Sequence, residues 1–485
     1  MKEPKDTPPA FAAWILGRIS RHEDRLSILS DFSEMFEELV IEKGHFQARR
    51  WCWTQVVRSI PPFIFNRFYW SVAMIKNYLK IAFRNFKRQR AFSFINISGL
   101  AIGMACCLLL MLFIRYELSF DRYHENAENI YRAAIKHSQS LMGTQMLNVT
   151  PGILAPFLRE ECPEVVTATK IRSGGGMIQY KDKQFDDDRF FFADSEFLEV
   201  FTFPLIKGNK KTALKNPYSV LLTQDTAEKY FGDENPLGKV LFVDNKHEYT
   251  VKGVLENVPR NSHFTFDILA SMVTLESLRG QKHLSGWNNY KTYLILQKGA
   301  DTDELLKKMQ QIIDRTEMKD KFILQPFMDI HLYGNYVFEL EPNGDIRYIY
   351  LLSAITFLLM LIACFNFINL STARSVHRAK EVGMRKVIGA NRAQLIKQFL
   401  GESLGISTVA FVISLALVKL SLPWFRVYMD RELKFMFFTD MQLLLGLIVL
   451  VFTVGLIAGS YPALFLSRFR PIAVFTGILK PSSKG

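Results

Sequence analysis

The chain has 485 residues, of which 49% are hydrophobic and only 22% charged, with 41 phenylalanines. That composition excludes an intrinsically disordered chain, and five cysteines over this length exclude a disulfide scaffold. The net charge of +13 would suit a nucleic-acid partner, so its placement along the chain decides what it means.

Residues 1–75 read as a small helical unit. Phe32, Met35, Phe36, Leu39 and Val40 recur at i, i+3, i+4, i+7 and i+8, one stripe of a helix. Asp31 with Glu34 three residues later predicts its N-cap, and Gly44 its stop. A second helix over about 45–59 carries Ala48, Trp51, Cys52 and Val56 on one side and ends at Pro61-Pro62. The stretch from Pro8 to Gly17 is apolar, but it opens on two prolines and no small-residue cleavage site follows, so no signal peptide is predicted. Pro62 to Ile75 is aromatic but short and interrupted by Arg67, which suits an interfacial segment better than a span. Residues 76–90 form a basic juxtamembrane helix suited to anionic lipid.

A membrane helix needs about 20 mostly apolar residues to cross a hydrocarbon layer of roughly 30 Å. Four segments qualify, at 91–115, 347–370, 401–422 and 441–466. Lys76 to Arg90 holds six basic residues and no acid, and Ser371 to Leu400 holds seven against the single Glu381. After the fourth span come Arg468, Arg470, Lys480 and Lys484. The long stretch between spans one and two, Tyr116 to Asp345, has 27 basic and 33 acidic residues. The positive-inside rule therefore puts both termini and the 371–400 loop in the cytoplasm, and residues 116–346 and the short 423–440 loop outside. The positive charge is topology, and a nucleic-acid partner is excluded. The fold class that follows is an α-helical membrane protein of four spans. It carries a large α+β extracytoplasmic domain between the first and second span and a small helical cytoplasmic N-terminal domain.

Within the outer domain, Ser219 to Leu222 reads as a strand leading into a helix capped by Thr223 and closed at Gly232. A hairpin turns at Asp244-Asn245 between Val240–Val243 and Tyr249–Val254. Lys291 to Gln297 reads as a strand, followed by a helix capped by Thr302 or Asp303 with Leu305, Met309, Ile312 and Ile313 on its apolar face, then a strand at Phe322 to Leu324. No catalytic constellation appears. Ser173 to Gly176 is a glycine-rich loop, but no G-x-x-x-x-G-K-[ST] run exists in the sequence. Asp186, Asp187 and Asp188 suit a solvated loop better than a cation site, and the scattered histidines do not suggest zinc. Cys162 is the one cysteine on the outer side, so the domain closes no disulfide within itself.

The 371–400 loop is the most informative segment. Val382, Met384, Val387 and Ile388 form a short apolar face flanked by Lys380, Arg385 and Lys386, with Gly383 and Gly389 allowing close approach or a sharp exit. Asn391 then caps a helix that runs into span three. Such a helix suits either anionic lipid or the groove of a cytoplasmic partner, and composition leaves the two open.

The run Arg378 to Ala390, with Gln398-Phe399-Leu400-Gly401-Glu402-Ser403 after it, resembles the motif of the FtsX-like, MacB-type ABC transporter permeases. Asn77 to Asn85, Asn366 to Arg374, Gly459 to Ala463 with Pro471-Ile472, Leu222 to Gly232 and Val251 to Val254 resemble other segments of that family. Residues 1 to about 73 look like a prefix domain found ahead of some of these permeases.

The resemblance implies that the loop holds a coupling helix that docks on a separate ABC ATPase subunit. Lys380, Glu381, Gly383, Met384, Arg385, Lys386, Gly389 and Ala390 are the matching positions. It implies an inner-membrane permease with no cofactor of its own, ATP being bound by the partner subunit. It also implies a mechanotransmission role in which the outer domain acts on a lipoprotein, peptide or small molecule, with a periplasmic adaptor or substrate protein as a further partner. The alternative within the same resemblance is a non-transport regulator of a periplasmic cell-wall hydrolase. Related permeases with this prefix often carry two four-span modules in one chain, so the expectation is either a second copy or homologous permease half as partner, or a chain that is itself a truncated half. Gly99/Gly103 and Gly455/Gly459 are G-x-x-x-G pairs suited to close helix packing, and Asn366 and Asn369 to hydrogen bonds between helices.

Overall fold

The computed structural model describes residues 7–19, 25–58, 90–140, 143–186, 189–279, 290–314, 320–373, 382–433 and 441–467. The interfacial stretch at 62–75, the basic stretch up to 89 and the tail from 468 lie outside the described residues. The chain divides into two compact units. One contains residues 1–102, 362–414 and 440–485; the other contains 103–361 and 415–439.

The first unit begins with three helices, α1 (Ala10–Ile19), α2 (Arg25–Lys43) and α3 (residues 45–58). Pro8 and Pro9 lead into α1: Pro9 offers its carbonyl to the Ala13 N–H at 3.1 Å, and proline costs little where a helix has no earlier partner for its amide. Asp31 does not cap α2, which already begins at Arg25. Its acid-rich spacing lies mid-helix, where an N-cap pattern has no free amides to serve. Gly44 takes φ +80° between α2 and α3, a left-handed exit that costs glycine nothing. Ala12, Leu16, Phe32, Phe36, Ala48, Cys52 and Val56 bury one core among the three helices. Burial pushes the Cys52 thiol up to about 11, which leaves it an apolar packer.

The first membrane span is α4 (Arg90–Glu117). It leads into an α+β domain built on one large, mostly antiparallel sheet. Its first half holds β1 (Ile130–Ser140), β2 (Gly143–Leu147), α5 (Leu154–Glu161), β3 (Val165–Ser173), β4 (Met177–Tyr180), β5 (Lys183–Asp186), β6 (Phe190–Ala193) and α6 (Phe197–Val200). Next come β7 (Leu205–Gly208), β8 (Ser219–Thr223), α7 (Gln224–Phe231), β9 (Val240–Val243), β10 (His247–Leu255) and β11 (Ile268–Ser271). The rest is α8 (Met272–Arg279), β12 (Lys291–Leu296), α9 (Thr302–Asp314), β13 (Lys321–Pro326) and α10 (Ile330–Tyr333).

One sheet runs β13-β1-β12-β3-β6-β11-β8-β10-β9-β4-β5, with β2 against β1 and β7 against β10. The β8/β10 and β6/β11 pairs are parallel and the other pairs antiparallel. Strand residues alternate between faces, as the pleat requires. On β12, Leu294 and Leu296 pack with Leu158 of α5 and Leu305 and Met309 of α9, whereas Tyr293 and Ile295 join an aromatic core with Phe197, Phe201, Phe264 and Phe327. Both faces are covered, so all six residues of β12 are buried.

Local chemistry explains several elements. Asp244 and Asn245 both take positive φ, 54° and 53°, between β9 and β10, the turn that matches strand twist in a two-stranded ribbon. Thr223 is the N-cap of α7, but its hydroxyl pairs with the Thr226 hydroxyl at 2.8 Å rather than with a backbone amide. The cap of α9 is Asp301, whose Oδ1 accepts the N–H groups of Asp303 and Glu304 at 2.9 and 3.2 Å; Thr302 and Asp303 are already helical. In the Ser173–Gly176 loop, a Cβ on Gly174 would lie 2.7 Å from Phe190 and one on Gly176 2.6 Å from the Asp244 carboxylate. These glycines serve packing. Asp187 and Asp188 lie outside the described residues.

The domain returns to the membrane through residues 334–345 into α11 (Ile346–Ala373). Two buried polar clusters fix this root. Glu117, the last residue of α4 and 4% exposed, accepts His331 Nε2 at 2.7 Å and Arg431 Nε at 2.9 Å. Arg132 of β1, wholly buried, donates two hydrogen bonds to Glu339 at 2.6 and 2.7 Å and two to Gln325 Oε1 at 2.7 and 3.2 Å. Asn148 adds a bond to Glu339 at 2.8 Å, and the Val337 amide bonds Met146 O at 2.8 Å. Burial alone would raise the Glu339 carboxyl, but the Arg132 hydrogen bonds and charge outweigh it and hold the group below the usual carboxylate range.

Beyond α11 lie a short helix, α12 (residues 382–387), then α13 (Arg392–Met429) and α14 (Met441–Ser467). The third span, expected at 401–422, belongs to a 38-residue helix. Hydropathy marks where lipid begins, whereas the helix ends where its caps are.

Candidate functional site

The elbow between spans two and three is built by two interlocked caps. At the end of α12, Gly389 takes φ +99°. Its N–H donates to Lys386 O at 3.1 Å while the Ala390 N–H donates to Arg385 O at 3.0 Å. This crossed pair is a Schellman stop, for which glycine is the fitting residue. One residue later, Asn391 Oδ1 accepts the Gln394 N–H at 2.9 Å and Gln394 Oε1 accepts the Asn391 N–H at 3.1 Å. That reciprocal pair is a capping box. The chain therefore leaves one helix and enters the next across four residues, 388–391.

The short helix has an inner and an outer side. Val382 is 2% exposed, packed with Leu395 and Phe399 of α13 and Ala463 of α14, and Gly383 is buried beside it. Arg385 donates to Gln398 Oε1, and Gln398 Nε2 donates to Glu402 Oε1 at 3.1 Å. On the outer side Met384 is 56%, Val387 66% and Ile388 80% exposed. The four apolar residues of the sequence motif are thus split: Val382 anchors the elbow and the other three form an exposed patch. Lys386 stands beside the patch. Partial burial, with the charge of Arg392, holds its ammonium below the usual lysine range. Lys380 and Glu381 lie outside the described residues.

Gln398, Glu402 and Ala463 belong to this site, although in the sequence they stand only in segments that resemble the family and not among the expected coupling positions. The available signal was the i, i+4 spacing of Gln398 and Glu402, which places both on one side of α13.

The small-residue pairs occupy distinct places. A Cβ on Gly455 would lie 2.8 Å from Leu404 Cδ1, and one on Gly459 2.7 Å from Ser403 Cβ, so α13 and α14 approach closely. A Cβ on Gly99 would lie 3.0 Å from Asn366 Nδ2. Gly103 is half-buried on α4. Asn366 and Asn369 sit on exposed positions of α11, and among the described residues neither makes a hydrogen bond to another helix.

Among the described residues, no group of three or more His, Cys, Asp or Glu side chains is arranged to hold a metal ion. A cavity of about 450 Å³ is lined by Arg260, Arg426, Val427, Asp430, Arg431 and Glu432. Its arginines are engaged with Glu432, Leu433 O and Glu117, so the cavity belongs to the root of the domain.

The profile of the MacB-like periplasmic core domain matches residues 93–312, and that of the FtsX-like permease C-terminal region matches residues 353–471. The macrolide export ATP-binding/permease protein MacB of Neisseria meningitidis serogroup A is 22% identical over 314 residues, covering 64% of this chain and 46% of that protein. The chain thus spans about half the length of the MacB relatives it matches. An uncharacterized ABC transporter permease of Methanocaldococcus jannaschii is 20% identical over 416 residues, covering 83% of this chain and 98% of that one. The solved periplasmic region of MacB from Actinobacillus actinomycetemcomitans is similar at 16% identity with a TM-score of 0.32, over 42% of this chain and 91% of that chain. One profile lies on the first span and the domain after it, and the other runs from the second span through the elbow to the end of the fourth. The chain belongs to the FtsX/MacB-type ABC transporter permeases.

Proposed function

We propose that the elbow receives force from a separate ABC ATPase subunit and passes it to the α+β domain on the far side of the membrane. The observation that carries this reading is the exposed trio Met384, Val387 and Ile388 on a helix whose other side is fixed to α13. An apolar patch with a basic rim suits a partner's groove, and its anchoring lets a push on the patch move the span rather than bend the loop.

On this reading the elbow and both termini are cytoplasmic and the membrane is the inner one, a topology that the basic loops support through the positive-inside rule. ATP would be bound by the partner, with this chain supplying no nucleotide site. At the other end, α4 and the segment leading to α11 enter the α+β domain through the Glu117 and Arg132 clusters, which suit transmission of movement. The substrate class is a lipoprotein, peptide or small molecule handled on the outer side. A second permease subunit completes the system.

The test is co-purification from the native host. Wild-type chain is expected to carry an ABC ATPase with it, and Met384→Asp to lose that ATPase while keeping the same thermal midpoint. Equal recovery with both, or labelling of Met384→Cys from the outer side of intact cells, overturns the proposal.

A further inference from the structure

The three-helix unit at the start of the chain is absorbed by neither family profile nor by the elbow. Its charges and aromatics are sorted by helix. The described carboxylates of the unit, Asp31, Glu34, Glu37, Glu38 and Glu42, all lie on α2. Neither α1 nor α3 contains an acid, while Arg18, Arg49, Arg50 and Arg58 are exposed on them.

The α3 side chains divide cleanly. Ala48, Cys52 and Val56 enter the core. Phe46, Arg49, Arg50, Trp53 and Val57, at i, i+3, i+4, i+7 and i+11, share an exposed stripe beside it. Phe46 is 81%, Trp53 41% and Val57 61% exposed. Helix α1 adds Phe11 and Trp14, 62% and 57% exposed. The Phe11 ring stacks on Trp14 at 5.8 Å and meets Trp53 at 6.2 Å, so the two stripes join into one surface.

We propose that this aromatic and basic face lies on anionic lipid, holding the N-terminal unit flat against the membrane surface next to the first span. Three observations select lipid over a protein groove. Arginines are interleaved with the aromatics along the stripe rather than ringed around an apolar centre, the pattern of a surface-lying helix. Tryptophan and phenylalanine with arginine match the headgroup layer, where aromatic rings sit and each basic residue is attracted by anionic lipid. The chain from residue 59 to 89 also ties the unit to the start of α4. It contains Phe63, Phe65, Phe68, Tyr69 and Trp70 and then mostly basic charge, so its sequence favours the same surface.

The experiment uses the full chain in nanodiscs of phosphatidylcholine alone or with phosphatidylglycerol. Single cysteines at Thr54→Cys, bordering the face, and Glu38→Cys, on α2, are reacted with a polar maleimide, and each site is read by peptide mass spectrometry. Thr54 is exposed, and its hydroxyl bonds only the Arg50 carbonyl of its own helix, so the change leaves the core intact. Phosphatidylglycerol is expected to slow labelling at position 54 by about five-fold or more while position 38 is unaffected. Arg49→Glu with Arg50→Glu, or about 0.5 M salt, should restore the fast rate. Equal rates at position 54 in the two lipid mixtures overturn the proposal. So does a slowing that reaches position 38 equally, or one that appears only when an ATPase subunit is added.

Discussion

The elbow and the root of the α+β domain treat their side chains in opposite ways. The elbow leaves Met384, Val387 and Ile388 in the open and fixes itself with local backbone caps and the small cluster under Val382. The root buries charge: Arg132 is wholly enclosed and Glu117 nearly so, each with its hydrogen-bonding partners around it. Exposed apolar area is stabilised only by something that covers it, so the elbow is shaped for a surface it does not itself supply. A buried ion pair adds little net stability over an apolar pair, because desolvation offsets most of the attraction. What it has here is hydrogen bonds satisfied in one arrangement, from Arg132 to Glu339 and Gln325 and from His331 and Arg431 to Glu117. The difference separates an end whose apolar side chains are left open from an end whose charged side chains are enclosed and paired.

The contrast breaks most readily at Arg132. Arg132→Ala leaves Glu339 largely buried without its counter-charge, and a loss of about 3–5 kcal/mol is expected for such a half-pair. It would appear as a marked fall in the thermal midpoint of the α+β domain. Arg132→Lys should rescue little, because an ammonium cannot make the paired bonds to Glu339 and Gln325 together. If Arg132→Ala unfolds at the wild-type temperature, the root is not a clamp.

The two sides of the elbow allow a sharper test. Val382→Asp puts a charge among Leu395, Phe399 and Ala463 and should lower both stability and ATPase recovery. Met384→Asp, on the open side, should change stability by less than about 0.5 kcal/mol while recovery falls at least about ten-fold, as expected for a residue central to an interface. Similar behaviour of the two variants would erase the distinction between anchor and contact. Gly459→Val tests the floor beneath the elbow. A Cβ there would lie 2.7 Å from Ser403, and a destabilisation of about 1–3 kcal/mol is expected from such overpacking, read as a lower thermal midpoint in detergent.

How much was legible in the sequence follows from how far each signal reaches. The glycine stops at Gly44 and Gly389, the Asn391 cap and the Asp244-Asn245 turn depend on residues within a few positions of each other, and all were readable. The four spans were readable because lipid demands long apolar runs. The far end of α13 was not, since hydropathy is silent about how far a helix runs on beyond its apolar stretch. Helix α1 escaped notice because it is apolar almost all round and shows no stripe. Asp31 misled because a cap pattern also occurs inside helices. In six residues of α12, periodicity shows an apolar face but not which part of it packs inward; Ala463, from another helix, decides that. The Arg132–Glu339 pair joins residues far apart in the chain, and no local pattern announces it.

The smallest expected effect concerns Lys291 of β12, close to the Arg132 cluster. Burial, opposed by the charge of Glu339 and reinforced by that of Arg132, holds its ammonium at about 8. In the unfolded chain the same group titrates near 10.4. A lysine whose folded value is lowered binds fewer protons in the folded state between those two values, so stability rises with pH across that window. Below about 8 the lysine is charged in both states and its contribution is flat. The measurement is the thermal midpoint of the α+β domain at several pH values from neutral to about 10. An upward slope is expected for the wild type, and a shallower one for Lys291→Met, which keeps the aliphatic stem and removes the charge. The root would then be stiff in spite of this charge, with Arg132 and Glu339 holding the geometry and Lys291 working against it. A slope unchanged by Lys291→Met would assign the titration to another group and leave the cluster with a charge it tolerates at no measurable cost.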